Sequence, residues 1–179
     1  MNTYSTPIKY GIIGGIIMIA IILLLYIVAV EKLASFFTMV VYLPLIFLMI
    51  WGGITYRKEI GSYNTFGQAF ITVFIISVIA TFLFDTFGYL LYTVIDPDLP
   101  ILIKKKAIEN ATLMMEKFGT PDDKMEEALQ RMEEQDYAPT VKTQLMRYAS
   151  SLVIGAIFSA LVALFVRRGD KAHEIKTEA

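Results

Sequence analysis

Four long apolar stretches, separated by polar segments, dominate the hydrophobic pattern of the chain. They cover about residues 10–30, 36–56, 66–95 and 145–166. A helix needs about twenty predominantly apolar residues to cross the ~30 Å hydrocarbon core of a bilayer, and each stretch is long enough. The pattern therefore predicts an all-α protein, an integral membrane four-helix bundle formed as a single membrane domain over residues 1–179.

The first apolar stretch has an alternative interpretation as a secretory signal, because Lys9 precedes it. The apolar region of a signal is about 7–15 residues long and leads to a cleavage site flanked by small residues. This stretch is longer, and no such site follows Val30. We therefore interpret it as the first span.

The polar segment between spans three and four, residues 97–139, has a helical period of its own. Its first half places these apolar residues on one helical face: Ile101, Ile108, Ala111, Met115 and Phe118. Gly119 then suits a left-handed helix C-cap. Its second half offers Thr120 as an N-cap and Pro121 as the first helical residue. Apolar residues follow at helical spacing: Met125, Ala128, Leu129 and Met132.

These two helices predict an extracytoplasmic hairpin inserted between spans three and four. Their apolar faces are too narrow for an independent core, so they should pack on each other, on the membrane surface or on a partner. Tyr137, Ala138 and Pro139 end the hairpin, and Thr140 is a suitable N-cap for span four.

Two further residues predict local features of the spans. Thr65, followed three residues later by Gln68, predicts a capping box at the start of span three. Pro44 lies within span two, where we expect it to bend the helix and free a backbone carbonyl.

Basic residues at the span ends predict the orientation. The following lie on one side of the predicted bundle: Lys9, Arg57, Lys58, Arg167, Arg168, Lys171 and Lys176. The short opposite loop has only Lys32. The excess of basic residues on cytoplasmic loops places both termini in the cytoplasm and the 97–144 loop outside. Arg57 and Lys58 are also candidates for contacts with anionic lipid headgroups or a cytoplasmic partner.

Composition agrees with a membrane protein and excludes several functions. Hydrophobic residues make up 56% of the chain and charged residues 18%, against roughly 45–50% and about 25% in soluble domains. The net charge of −1 comes without a basic stripe, so no nucleic-acid binding is expected. The absence of cysteine excludes disulfides and thiolate metal sites.

No motif predicts an enzyme, a cofactor or a metal site. Phosphate-binding, dinucleotide-binding, zinc-protease and serine-hydrolase motifs are absent from the sequence. His173 is the single histidine and lies in a polar tail, where a solvated side chain is the simpler interpretation. The acids of the 97–139 segment follow helical spacing rather than a calcium-loop pattern, and the methionines are typical of packing.

Small residues in the spans predict close helix packing. Gly11, Gly14 and Gly15 lie near the start of span one, and Gly155 and Ser159 belong to a small-residue stripe on span four. Such positions let helix backbones approach closely in lipid. Packing inside the bundle is the favoured interpretation, and a self-association face is the alternative.

Asp85 interrupts the third span and is the best candidate for a polar site. If the span starts at Phe66, Asp85 lies about 28 Å along the helix axis, near the outer headgroups. There it would hydrate or accept hydrogen bonds from the hairpin, with Lys104, Lys105 and Lys106 as candidate partners. No basic residue within the spans is expected to pair with it.

The order of several segments resembles a bacterial family of small four-span membrane proteins, catalogued as domain of unknown function 4199. The similar segments are KYGIIGG, YRKEIGSYNTFGQAF, LLYTVIDPDL, MEKFGTPDDKMEEAL and IGAIFSALVALFVRR, in that order. The resemblance implies a four-span architecture and an inner-membrane location. It carries no activity and no catalytic residues.

Two functional classes are compatible with the sequence. The favoured hypothesis is a non-enzymatic scaffold or accessory subunit, acting through its helix faces and outer hairpin on the bilayer, on another membrane protein or on a second copy. The alternative is a small oligomeric transporter or channel that uses Asp85. Polar residues within the spans are too few for a route, which favours the scaffold.

Overall fold

The computed structural model describes residues 4–34, 36–61, 64–135 and 139–167, and these residues form an all-helical protein. The six α-helices of the described chain are α1 Ser5–Ala29, α2 Leu43–Glu59, α3 Phe66–Leu90, α4 Leu99–Lys117, α5 Asp122–Glu134 and α6 Val141–Val166. The predicted residues Tyr137, Ala138, Arg168, Lys171, His173 and Lys176 lie outside the described residues.

Four helical segments of the described chain are long and apolar enough to cross a membrane. They are Ser5–Ala34, Thr38–Glu59, Phe66–Ile95 and Val141–Val166. The predicted four-helix architecture is thereby confirmed at the level of helix number, length and composition. The fourth segment begins about a turn earlier than predicted, which brings more polar residues of α6 alongside α3.

Helix α3 is the centre of the bundle, because α1, α2 and α6 all pack against it. Its fully buried residues repeat at helical spacing and include Val73, Ile76 and Ala80. Met18 of α1 and Met49 of α2 are buried in the same core. The outward faces of the spans stay apolar, as expected of helices that contact lipid.

Glycines let α1 lie directly on α3. A Cβ atom added at Gly11 would come 2.8 Å from the Cβ of Ile79, and one added at Gly15 would come 2.8 Å from Leu83 Cδ1. Gly14 faces Leu45 and Ala80 at 3.3 Å and 3.4 Å, which is closer to ordinary contact. All three glycines thus contact helices of the same bundle.

The described helix starts agree with the local sequence. Gln68 donates its backbone N–H to Thr65 Oγ1 at 3.3 Å, and Gln68 Oε1 accepts from the Thr65 N–H at 3.0 Å. This confirms the capping box. Thr140 likewise caps α6 by accepting from the Thr143 N–H at 3.1 Å.

Pro44 does not bend the interior of a helix, so that prediction is wrong. Span two begins as a tight 3₁₀ segment, Phe36–Tyr42, and becomes an α-helix at Leu43. Pro44 therefore lies in the first turn of α2, where its missing N–H costs no intrahelical hydrogen bond.

The segment between spans three and four forms two packed helices, α4 and α5. Gly119 has φ +65° and ends α4 as predicted. The Gly119 N–H donates to Glu116 and the Thr120 N–H to Met115, the bond pattern of a Schellman motif. Helix α5 starts at Asp122 after Pro121, so the prediction of Thr120 as its N-cap is wrong by one position.

The predicted apolar face of α4 is only partly correct. Ile108, Ala111 and Met115 are half-buried, whereas Ile101 and Phe118 are 69% and 77% exposed. The half-buried residues of α5 are those of its predicted stripe: Met125, Ala128, Leu129 and Met132.

Polar contacts tie this helical pair to the end of the bundle. Asp96 accepts hydrogen bonds from the Tyr26 hydroxyl at 3.0 Å and from the Leu99 N–H at 3.1 Å. Leu91–Ile95 form a π-helical turn that links α3 to this junction. The start of α4 is therefore fixed against the end of α1.

Candidate functional site

A line of polar residues follows one face of α3. Ser77, Thr81 and Asp85 are spaced by four residues, which places them above one another on the helix, and all three are buried. Small residues of α6 face this line. A Cβ added at Gly155 would come 2.7 Å from Ser77 Oγ. The two helices are therefore in close contact along a polar seam.

Asp85 is buried by α6 rather than hydrated at the membrane edge. The residue is 7% exposed. Its backbone carbonyl accepts a hydrogen bond from Gln144 Nε2 at 2.9 Å. The Ser151 hydroxyl and the Arg147 guanidinium both interact favourably with its carboxylate. The expectation of hydration is wrong, because the first turns of α6 extend far enough to cover Asp85.

The three candidate lysines have other positions. Lys106 pairs with Glu109 on α4 at 2.8 Å, Lys104 donates to the Glu133 carbonyl of α5, and Lys105 is exposed. The described partners of Asp85 instead lie on α6. Arg147, a basic residue at the start of the fourth span, lies close enough to Asp85 to interact with it electrostatically, which the sequence did not predict.

A sequence signal for these partners existed. Gln144, Arg147 and Ser151 recur at intervals of three and four residues, so they share one face at the start of α6. The sequence alone does not show that this face meets Asp85. Helix packing determines which faces meet, and the spacing of polar residues along one helix does not reveal it.

Two buried acceptor atoms at this point have no hydrogen-bond donor among the described residues. They are Oδ2 of Asp85 and Oε1 of Gln144. Because the Gln144 amide nitrogen must face the Asp85 carbonyl to donate to it, the free atom of this amide is the acceptor oxygen. A buried acceptor without a donor is costly, so this part of the α3–α6 contact is held by the packing around it rather than by complete hydrogen bonding.

Three tyrosines interact electrostatically with Asp85 or Arg147. Tyr42 interacts electrostatically with both, Tyr92 with Arg147, and Tyr148 with Asp85. The ring of Tyr42 packs edge-on against Phe84 at 6.0 Å. We call Asp85, Arg147, Gln144 and these tyrosines the polar cluster.

A cavity of about 410 Å³ lies next to the polar cluster, on its side toward the middle of the spans, between spans two and four. We call it the cleft. Ser77 and Thr81 of α3 form its floor. Its walls are mainly apolar residues of the second and fourth spans: Met39, Tyr42, Leu43, Leu45, Ile46, Met49, Ser151, Ile154, Gly155 and Phe158. Met39, Leu43 and Ile154 are exposed, so the cleft opens on the lipid-facing side of the bundle.

The opposite end of the bundle holds the other basic candidates. Arg57 Nη1 donates to the Val166 carbonyl at 2.7 Å, which caps the C-terminus of α6. Lys58 is exposed next to it. Glu59 accepts from the Thr6 hydroxyl at 2.7 Å. Arg57 therefore connects spans two and four and leaves Lys58 free to contact water or lipid.

No cluster of three or more His, Cys, Asp or Glu side chains that could hold a metal ion occurs among the described residues. The titratable residues of the polar cluster are one acid, one arginine and three tyrosines. Such a set can bind charged and hydrogen-bonding groups and can join helices.

The model of one protein family, described as "Protein of unknown function (DUF4199)", matches residues 9–168. The chain belongs to this family. The resemblance found in the sequence is thereby confirmed. The matched residues of this DUF4199 protein include the polar cluster and the cleft. No curated protein and no solved structure matches the chain.

Proposed function

We propose that this DUF4199 protein is a non-enzymatic scaffold or accessory subunit of the bacterial inner membrane. Both termini lie in the cytoplasm, and the pair of helices α4 and α5 lies outside. Its partners are the lipid bilayer and another membrane protein, and it acts through its outer helices and span faces.

The extent of the polar seam supports this proposal. The seam runs from Asp85 to Ser77 on α3 and includes the fully buried Ser159 of α6, four residues after Gly155; it then gives way to apolar packing, in which Val73 of α3 and Val162 and Val166 of α6 are buried. The buried Thr72 hydroxyl donates to the Gln68 carbonyl of its own helix. An ion or a polar solute needs polar groups across the whole apolar layer. The seam therefore favours helix attachment over transport.

The distribution of basic residues supports the orientation. Lys9 and Arg57 lie at the end of the bundle where α1 begins and α2 ends, together with Lys58 and Arg167. Contacts such as Arg57 to Val166 hold these termini side by side. Basic residues near span ends are retained on the cytoplasmic side.

A transporter remains the second candidate, because the structure adds Arg147 and a cleft to Asp85. An oligomer could extend the polar route past Ser77. A flux measurement on vesicles that contain the full-length protein distinguishes the two hypotheses. A scaffold should show no proton or solute flux above that of empty vesicles. Flux that is abolished by Asp85→Asn, but retained by Asp98→Asn at the exposed end of the bundle, would establish transport.

Crosslinking tests the scaffold directly. Phe118 is an exposed apolar residue of α4, whereas Lys124 is an exposed polar residue of α5. A photoreactive amino acid at Phe118 should crosslink one membrane protein in a fixed ratio, and the same probe at Lys124 should do so much less. Crosslinks to lipid alone at both positions would contradict a protein partner.

A further inference from the structure

We propose that the cleft binds a neutral membrane lipid of the isoprenoid-quinone class. One ring carbonyl accepts a hydrogen bond from the Ser77 hydroxyl, the ring lies against Gly155, and the prenyl chain leaves the cleft toward the bilayer. This ligand is independent of whether the protein acts as a scaffold.

The Ser77 hydroxyl is the observation that points to a ligand. Ser77 is 3% exposed and lines the cleft, and its hydroxyl has no hydrogen bond to another described residue. Other hydroxyl groups of the helices donate to the carbonyl four residues earlier, as in Thr72, Thr81, Thr93, Thr112 and Ser150. A buried donor without an acceptor is costly, so this hydroxyl is suited to a ligand that accepts a hydrogen bond.

The rest of the lining selects a neutral and mainly apolar ligand. The Thr81 hydroxyl donates to the Ser77 carbonyl at 2.9 Å, and the Ser151 hydroxyl interacts with the Asp85 carboxylate. Among the described residues of the lining there is no charged side chain. A charged ligand would therefore lose its hydration without gaining a partner. An apolar cavity with a few placed polar groups is typical of small-molecule sites.

Gly155 keeps the Ser77 hydroxyl accessible from the cleft. A Cβ added at Gly155 would come 2.7 Å from Ser77 Oγ, and Gly155 itself lines the cleft. Because this position has no side chain, a flat group can lie against the backbone next to the hydroxyl. Phe158 and Met49 also line the cleft, and aromatic and thioether side chains make favourable contacts with rings. The walls therefore suit a planar ring.

The depth of Ser77 in the bilayer argues against a phospholipid as the acceptor. Ser77 lies 11 residues after Phe66, about 16 Å along the helix axis. This is about half of the ~30 Å hydrocarbon core, whereas the phosphate and headgroup of a phospholipid lie in the interfacial regions outside that core. A quinone ring carries carbonyl acceptors and no charge, so it can reach this depth.

The mouth of the cleft suits a molecule that arrives from the bilayer. Met39, Leu43 and Ile154 are exposed at the mouth. The lining extends over residues 39–49 of span two and 151–158 of span four, so the cleft follows the direction of the spans. A prenyl chain can lie along this direction and continue into the surrounding lipid.

Photolabelling of the full-length protein in phosphatidylcholine nanodiscs tests the location. The probe is a menaquinone with a diazirine in its prenyl chain. It should label residues 39–49 and 151–158 more than the lipid-facing residues 16–28 of α1. Ile154→Trp narrows the mouth of the cleft and should reduce this labelling. Equal labelling of α1 and the cleft, with no effect of Ile154→Trp, would overturn the proposal.

Competition with unlabelled compounds tests the hydrogen bond. The competitors are a menaquinone and the corresponding prenylated naphthalene, which keeps the ring and the chain but has no carbonyl. We expect the menaquinone to compete about 2- to 10-fold more effectively, since the net effect of one hydrogen bond corresponds to about that factor. Ser77→Ala should abolish the difference between the two competitors.

A matched control separates Ser77 from a general effect of losing a buried hydroxyl. Ser159 Oγ is also buried without a partner among the described residues, but Ser159 does not line the cleft, so Ser159→Ala should keep the preference. An unfolding midpoint like that of the wild type shows that Ser77→Ala is folded. Equal competition by both compounds in the wild type would overturn carbonyl recognition, and so would a preference that survives Ser77→Ala.

Discussion

Single residues decide how closely the helices of this bundle approach. Gly11 and Gly15 leave no space for a Cβ between α1 and α3, whereas Gly14 faces the flexible end of Leu45. The nearest atoms to a Cβ at Gly11 include a backbone carbonyl, that of Ile76. Backbone atoms cannot rotate away, so the cost of a methyl group depends on which glycine receives it.

We predict that Gly11→Ala destabilises the protein and Gly14→Ala does not. Gly11→Ala should lower the free energy of unfolding by about 1–3 kcal/mol through overpacking. For Gly14→Ala, a gain in helix propensity of up to about 1 kcal/mol offsets the tighter contact. Unfolding in mixed detergent micelles measures both. Equal losses for the two variants would show that the α1–α3 contact is looser than described.

Gln144 gives a second prediction at the residue scale. Gln144→Leu removes the donor to the Asp85 carbonyl, which loosens the start of α6 from α3. Hydrogen bonds between membrane helices contribute about 0.6 kcal/mol on average and up to about 1.7 kcal/mol. We expect a loss in this range in the same unfolding assay. Gln130→Leu on the exposed face of α5 serves as the control, and an equal loss there would contradict the prediction.

The sequence identified Asp85 but not its surroundings. The sequence alone reveals a lone acid in an apolar stretch, because its side chain is ionisable and those of its neighbours are apolar. Burial by Gln144 and Arg147 depends on where α6 starts and which face it turns to α3. Thr140 predicts the start, but the face that α6 turns to α3 follows from the packing of residues that are 59 positions apart in the chain, which no local pattern encodes.

Helix ends were the most predictable elements. Thr65 with Gln68, Thr140 and Gly119 each act through backbone groups within a few residues, so short sequence patterns are sufficient. Pro44 shows the limit of such local patterns. A proline is compatible with a first turn or with a bent helix, and only the 3₁₀ segment before it separates the two.

Gly119 allows a test of one helix end. Its left-handed conformation, with φ +65°, costs an alanine about 1–2 kcal/mol. Gly119→Ala should therefore destabilise the end of α4 and speed hydrogen exchange at the last amides of that helix. Gly119→Asn should do so less, because asparagine tolerates this conformation better. Equal exchange in both variants would contradict the assigned Schellman motif.

The ion pair on α4 gives a pH-dependent prediction. The Lys106 ammonium holds the pKa of Glu109 below its usual range, and Glu109 holds the pKa of Lys106 above its own. The pair therefore stabilises α4 above the ordinary pKa of a glutamate and below that of a lysine. Its contribution is lost as pH falls through the lowered pKa of Glu109 or rises through the raised pKa of Lys106.

NMR titration of the Glu109 carboxyl group measures this effect. We expect a midpoint below that of an unpaired glutamate, and Lys106→Gln should return it toward the ordinary value. Glu116 on the same helix serves as a reference carboxyl group in that variant. A Glu109 midpoint unchanged by Lys106→Gln would show that the pair is not formed in solution.

At the scale of the whole molecule, the number and length of the spans follow from hydrophobicity, because a bilayer imposes a minimum apolar length. The arrangement of the spans does not follow in the same way. The cleft exists because α2 and α6 approach at Arg57 and Val166 and leave the space between Met39 and Phe158 open. Its volume depends on helix angles, which the apolar pattern leaves undetermined.

Orientation is the remaining whole-molecule property, and we predict it from the basic residues. The chain has no cysteine, so single-cysteine variants report accessibility without background. In cells whose outer membrane has been removed and whose inner membrane is intact, an impermeant maleimide should label Asp123→Cys on α5. Lys58→Cys, exposed at the opposite end of the bundle, should be labelled only after the membrane is permeabilised.

Ile157→Cys completes this measurement, because Ile157 is exposed on a span face in the interior of α6 and should stay unlabelled in both conditions. Labelling of Lys58→Cys in intact cells, with Asp123→Cys protected, would reverse the orientation. The polar cluster lies at the same end as α4 and α5, so a reversal would also place it on the cytoplasmic side.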